Sequence, residues 1–333
     1  MAKQQIPVII VAGFLGSGKT TLLNHLLTTA GGTRIGVLVN DFGSINVDAM
    51  AVAGQVDSTI SLSNGCLCCA VDPSEMDDML ARLAKPAANI DVIVIEASGL
   101  AEPQSVVKVV LAGESPRLTY GGLVQVVDAA EFTATSARHP ELTKHLRIAD
   151  LVVLNKVDRV DDLTAVREAV STASPGTPVV EAAHGRVDPA LLFDPRPRPV
   201  AVGQLSFDDL NDEDHHDHAH SRYDSVEFTS DEPMDPRRFM AFLDGRPAGL
   251  YRMKGFVYFG VAGHRQKFAL HTVGAYLRFE RSAWAADEPR TTQLVMIGSG
   301  VSAPDLLSRL ASCVRTEPVD PQSMLDVLRY LRS

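Results

Sequence analysis

Cysteine, positive charge and long apolar runs are all scarce in this sequence, and each scarcity removes a class of protein. Only four cysteines occur, three of them packed at Cys66, Cys68 and Cys69, which excludes the spread-out disulfide framework of a small secreted scaffold. Lysine and arginine total 31 against 41 aspartates and glutamates, a formal net charge of −10. That balance argues against binding a phosphate backbone, and no nucleic-acid partner is expected. No stretch approaches the ~18 consecutive apolar residues of a membrane-crossing helix, so no membrane span is expected either. The opening MAKQQIPVIIVAG offers only Ile6 to Val11 as an apolar core before its glycines begin. This is too short for a secretory signal, and a cytoplasmic location is expected.

What is present is a long alternation. From Pro7 to Ala182 the runs PVIIV, RIGVLV, DVIVI, GGLVQVV, LVVL and PVV are separated by stretches with apolar residues at helical spacing. Continuous apolar strands flanked by helices predict a doubly wound α/β domain with a mostly parallel sheet, placed at residues 1–193. Residues 194–222 read as an acidic, histidine-rich linker, with His215, His216, His218 and His220 close together. Residues 223–333 hold shorter strand-like runs joined by glycine-bearing turns such as Val261 to His264, and predict a smaller α+β domain with an antiparallel sheet. Helices are expected at Pro236 to Leu243, Pro304 to Ala311 and Pro321 to Leu331.

The sharpest local signal is GFLGSGKT, from Gly13 to Thr20, directly after PVIIV and opening a helix at Thr21. It matches G-x-x-x-x-G-K-[ST] in the strand-loop-helix setting that the motif requires, a P-loop of the NTPase type. Its glycines, with Ser17, let successive N–H groups converge on phosphates, Lys19 supplies fixed positive charge and the Thr20 hydroxyl can ligate Mg²⁺. After LVVL comes Asn155-Lys156-Val157-Asp158. A carboxylate there can accept from guanine N1–H and the exocyclic amine, while adenine N1 is itself an acceptor, so GTP is expected over ATP. Glu96 ends DVIVI and leads to Gly99, which puts an acid and a free main-chain N–H beside the phosphates. Lys19 and Glu96 are therefore the candidate catalytic pair for phosphoryl transfer. Asp41, beside Asn40 after RIGVLV, and Asp48 are further candidates for the metal shell.

Between these elements lies Gly65-Cys66-Leu67-Cys68-Cys69. Three thiolates in one turn-sized loop can converge on one soft ion, Zn²⁺, Cu⁺ or Co²⁺ rather than Mg²⁺. No second cysteine pair completes a structural site, so Asp41, a histidine or water would have to, which suits binding and release. The other readings are buried reduced thiols or a redox pair, the latter weakened by the strain of bridging adjacent cysteines. Cys313 reads as a core residue. The histidine run reads either as a metal-collecting tether or as a solvated linker.

In this order, GFLGSGKTTLLNHLL, VNDFG, GCLCC, VIEASGLAEP and LNKVD resemble the CobW-like P-loop GTPases, relatives of HypB and UreG. YRMKGFVYFG and LVMIGSGVSAPDLLSRLASC look like that family's C-terminal domain. The resemblance implies a GTP-dependent metallochaperone in which Mg²⁺–GTP assembles the thiolate site for Zn²⁺, with Co²⁺ as the alternative cargo, and hydrolysis to GDP passes the ion to a client metalloprotein. It implies a GTPase whose rate is slow and regulated by metal or client, and a nucleotide-dependent homodimer is compatible with it. Carried over by motif, Gly16, Ser17, Gly18, Lys19 and Thr20 hold phosphates and Mg²⁺, Asn155, Lys156 and Asp158 hold guanine, and Cys66, Cys68 and Cys69 hold the cargo ion. Asp41 departs from the glutamate usual in the family at that element. From another functional class, the same cysteines and histidines would also suit a non-catalytic zinc store.

Overall fold

The structure, a computed structural model, describes residues 5–39, 59–61, 73–99, 102–113, 115–196 and 223–331, with the backbone alone at 59–61 and 73–75. The chain divides into two compact units.

In the first unit the apolar runs become β1 (Ile6–Gly13), β2 (Ile35–Val39), β4 (Val92–Glu96), β5 (Leu118–Asp128), β6 (Leu151–Asn155) and β7 (Val179–Ala182). A short β3 (Thr59–Ser61), which the sequence reading did not anticipate, extends one edge. The sheet order is β3-β2-β4-β1-β5-β6-β7, with every pairing parallel. Every residue of β2, β4 and β6 is buried, as parallel strands covered by helices require. The described helices are α1 (Lys19–Thr29), α2 (Pro73–Leu83), α3 (Pro103–Ala112), α4 (Phe132–Arg138), α5 (Glu141–Arg147), α6 (Thr164–Ala173) and α7 (Pro189–Leu192). Helix α1 faces the core with Leu22, Leu23 and Leu26. Helix α4 escaped the sequence reading because Thr133, Thr135 and Ser136 are weak helix formers, while Phe132 and Thr135 are buried by tertiary packing.

The order places β1 centrally, with the chain running outward through β2 on one side and returning through β5 on the other. Ligands of such sheets bind beyond the strands' carboxyl ends at this reversal. That edge carries the turns after Gly13, Glu96, Asp128 and Asn155 and the last residue of β2, Val39.

The second unit is a five-stranded antiparallel sheet in the order β11-β10-β9-β12-β8, built from β8 (Asp224–Ser230), β9 (Leu250–Val257), β10 (Lys267–Val273), β11 (Tyr276–Ser282) and β12 (Thr292–Gly298). Its core centres on Phe239, Phe259, Phe268 and Phe279, which meet edge to face. Helices α8 (Pro236–Asp244) and α9 (Ala303–Ala311) each start on a proline-bearing turn, capped by the side chains of Asp235 and Ser302. Cys313 lies in this core, and burial pushes its thiol pKa up.

The single helix expected over Pro321 to Leu331 is instead a 3-10 turn, Pro321–Met324, followed by the short α10 (Leu325–Leu328). The Phe279 N–H donates to the Tyr330 carbonyl and Leu331 bridges Phe279, so pairing with β11 takes the chain out of the helix.

Candidate nucleotide and metal site

Two glycines of the P-loop are fixed by what surrounds them. Gly18 adopts φ 103°, and a Cβ there would lie 2.2 Å from the Asn155 side-chain nitrogen. At Gly13 a Cβ would stand 2.4 Å from the Val126 carbonyl oxygen of β5. The loop between them is thus folded tightly against β5 and β6. Gly16 also has positive φ, 75°. Lys19 is buried, and its ammonium donates to the Phe14 carbonyl across the loop at 3.3 Å. Thr21 is exposed in the first turn of α1.

The Thr20 hydroxyl donates to Glu96 Oε1 at 2.8 Å, and Glu96 itself is buried. The contact follows from register, since Val11 of β1 pairs with Glu96 of β4 and the Ala97 N–H donates to the Val11 carbonyl. A hydroxyl and a carboxylate side by side form the all-oxygen donor set that Mg²⁺ takes. Gly99 sits against the P-loop, where a Cβ would meet the Leu15 main-chain nitrogen at 2.8 Å.

Asn155 does more than its motif suggests. Its side-chain amide is buried, with Nδ2 donating to the Ser17 carbonyl at 2.9 Å and Oδ1 accepting from the Gly185 N–H at 2.9 Å. One residue thereby ties the phosphate loop to the loop after β7. Asp158 lies in a 3-10 turn, Val157–Arg159, with His184 Nε2 3.7 Å from its Oδ2. Both His184 and Lys156 adopt positive φ, at 53° and 61°. The loop from Glu181 to Gly185, without a sharp signature in sequence, therefore stands beside Asp158. Gly185 also packs on α1, where a Cβ would approach the Leu22 nitrogen to 2.7 Å.

Sequence reasoning missed Asp128. It ends β5, and its Oδ2 is paired with the Lys156 ammonium at 2.6 Å. Its only sequence signal is an acid closing an apolar strand. Lys156, Asp128 and P-loop residues Phe14 to Ser17 share a cavity of about 330 Å³, walled by Gln125, Phe132 and their neighbours.

The candidate metal residues Asp41, Asp48, Cys66, Cys68 and Cys69, and the histidine run of the linker, lie outside the described residues. Among the described residues no cluster of three or more histidine, cysteine or acidic side chains could hold a metal ion. The described strands do fix where those segments begin. Val39 pairs with Glu96 and with Ser61, so the last residues of β2, β3 and β4 form one row at the edge that carries the Thr20–Glu96 contact. No described helix is long and apolar enough to cross a membrane.

Residues 7–181 match the family described as CobW/HypB/UreG, nucleotide-binding domain, and residues 223–314 match the Cobalamin synthesis protein cobW C-terminal domain. The chain is 34% identical to a protein named zinc chaperone CobW from Sinorhizobium sp, over 88% of this chain and 93% of that protein. It is 31% identical to a second zinc chaperone CobW, from Pseudomonas aeruginosa, over 93% and 92% of the two chains. It is also 31% identical to zinc chaperone YjiA of Escherichia coli, over 56% of this chain and 61% of that protein.

Proposed function

The chain belongs to the CobW/HypB/UreG family, and from that premise we propose that it is a GTP-dependent metallochaperone, loading Zn²⁺ in its Mg²⁺–GTP state and releasing it to a client metalloprotein on hydrolysis. The observation that carries the reading is the shared row of strand ends. The Thr20–Glu96 contact of the nucleotide site lies on the same sheet edge from which the chain runs on, after Val39 and Ser61, into the segments holding Asp41, Asp48 and the three cysteines. A ligand at the P-loop and a cargo ion at Cys66, Cys68 and Cys69 would therefore act on adjoining segments, the arrangement that linkage between two sites needs.

In this reading the P-loop N–H groups and Lys19 bind the phosphates, while Thr20 and Glu96 hold Mg²⁺, which neutralises charge on the phosphates when bound. Glu96 would act either through that ion or by orienting the attacking water, with Gly99 offering its N–H to the γ-phosphate. Asp158 reads guanine, Asn155 braces the two loops around it, and Lys156 flanks the base. Phosphoryl transfer needs mostly positioning and charge neutralisation, so these groups suffice for slow hydrolysis, regulated by metal or client. The cargo ion is held by thiolates, which favour Zn²⁺ over Co²⁺ by intrinsic affinity. Arg196 is held on the first unit by Asp91 and Thr33, so the tether runs from residue 197 to 222, ahead of a C-terminal domain that recognises the client or a second copy of the chain.

The test is a competitive Zn²⁺ titration against a calibrated chelator with Mg²⁺–GTP analogue, Mg²⁺–GDP or no nucleotide, run beside a Cys66→Ser/Cys68→Ser/Cys69→Ser variant. One tight Zn²⁺ in the GTP-analogue state alone, lost in the variant, is the expected result. Equal affinity in all three states, or several tight ions without nucleotide, would identify a storage protein instead.

A further inference from the structure

Lys156 opens a turn with three acids around it in sequence or along its cavity. Asp158 lies two residues on, Glu131 borders the same cavity, and Asp128 closes β5 opposite. The structure pairs the ammonium with Asp128, whose Oδ2 stands 2.6 Å away, and leaves Asp158 with His184 Nε2 at 3.7 Å. Asp128 is itself held from behind, because its Oδ1 accepts from the N–H groups of Ala130 at 3.0 Å and Glu131 at 3.3 Å. The strand ends on either side are tied as well, with the Ala129 N–H donating to the Asn155 carbonyl at 2.8 Å. The acid is thus a fixed anchor for the lysine.

We infer that Asp128 is a positioning residue of the guanine site, holding the Lys156 ammonium away from Asp158 so that the lysine stem stands beside the P-loop and the Asp158 carboxylate stays available to the base. The inference rests on the guanine-nucleotide reading above. Its physical content is charge competition. Two oppositely charged groups on one turn neutralise each other unless a third, better-placed charge takes one of them. An Asp158 engaged by Lys156 would accept less well from guanine N1–H and the exocyclic amine, and guanine would lose its advantage over adenine.

The variant Asp128→Asn separates this role from a structural one, because the amide oxygen still accepts from Ala130 and Glu131 while the charge that holds Lys156 is gone. With GDP and ADP as probes in calorimetric titrations at fixed Mg²⁺, the variant is expected to raise the Kd for GDP roughly tenfold, the scale of one charge-assisted contact, and to narrow the GDP over ADP preference. The far-UV circular dichroism of the nucleotide-free variant should match wild type, which separates lost positioning from a lost fold. Adding Lys156→Met, which keeps most of the stem and removes the ammonium, should restore the preference lost in Asp128→Asn. Wild-type GDP affinity in Asp128→Asn overturns the inference, as does an equal loss for both nucleotides that Lys156→Met does not restore. A wild-type protein with no preference for GDP over ADP overturns the guanine reading itself, and the inference with it.

Discussion

Glycine is required at position 18 for two separate physical reasons, its φ of 103° and the Asn155 nitrogen that a Cβ would meet at 2.2 Å. Relief of either would move the P-loop or displace the amide that joins it to Gly185. Gly18→Ala is therefore expected to abolish measurable GDP binding while leaving the far-UV circular dichroism of the fold intact, and unimpaired binding by titration would contradict the clamp. Asp158 makes a chemically sharper prediction. A carboxylate accepts two hydrogen bonds from guanine, whereas an asparagine amide donates to the extra carbonyl of xanthine. Asp158→Asn should lower GDP affinity by roughly two orders of magnitude and raise that for xanthosine diphosphate, read by competition binding. Motif spacing made both residues legible. It did not reveal Asp128, because an acid ending a strand has many uses and only the fold brings it to Lys156.

At the scale of elements, the sheet is fastened at the edge away from the P-loop. The Asp91 carboxylate is almost fully buried, and it accepts from the Arg34 guanidinium and main-chain N–H and pairs with Arg196 at 2.8 Å. It so joins the starts of β2 and β4 to the residue where the described chain of the first unit ends. Burial pushes the Asp91 pKa up, but the Arg34 hydrogen bonds and both guanidinium charges outweigh it, and the folded value lies below the ordinary one. The sign follows from that direction. Stability from ionised Asp91 is fully present above its unfolded pKa of about 3.9 and is lost as pH falls through the lower folded value. Asp91→Asn should cost roughly 1–3 kcal/mol near neutral pH, with the gap from wild type closing at acid pH. Urea melts across pH would show this, and a gap independent of pH would mean that Asp91 acts by packing alone. Elements were read from sequence where apolar period and capping agreed, as in α8 and α9. They were misread where tertiary pairing intervened, as at Tyr330 and Leu331, which leave their helix to join β11.

For the whole molecule, the proposed carrier obeys reciprocity. Whatever factor Mg²⁺–GTP adds to Zn²⁺ affinity, Zn²⁺ must add to GTP affinity. A nucleotide titration with and without one equivalent of Zn²⁺ is expected to show that equal factor for a GTP analogue and almost none for GDP. An unequal pair of factors would mean that the metal binds at more than the one coupled site. Deleting the second unit would not test this coupling, since the P-loop, the Glu96 strand and the cysteine segment all belong to the first part of the chain.

The sequence by itself determined the kinds of chemistry available. The glycines and lysine of a P-loop have few joint uses other than binding phosphate, an Asn-Lys-x-Asp after an apolar strand is expected to read guanine, and three cysteines in one loop are expected to favour a soft ion. These are local facts, carried by residue type and spacing over a few positions. The tertiary structure alone decided which distant groups meet. Parallel register set Thr20 against Glu96 and lined up Val39, Ser61 and Glu96, and the close approach of β5, β6 and the P-loop made Asn155 a clamp and Asp128 the anchor of Lys156. Such contacts join residues separated by 28 to 138 positions, and only packing of the whole sheet can bring them within hydrogen-bond distance.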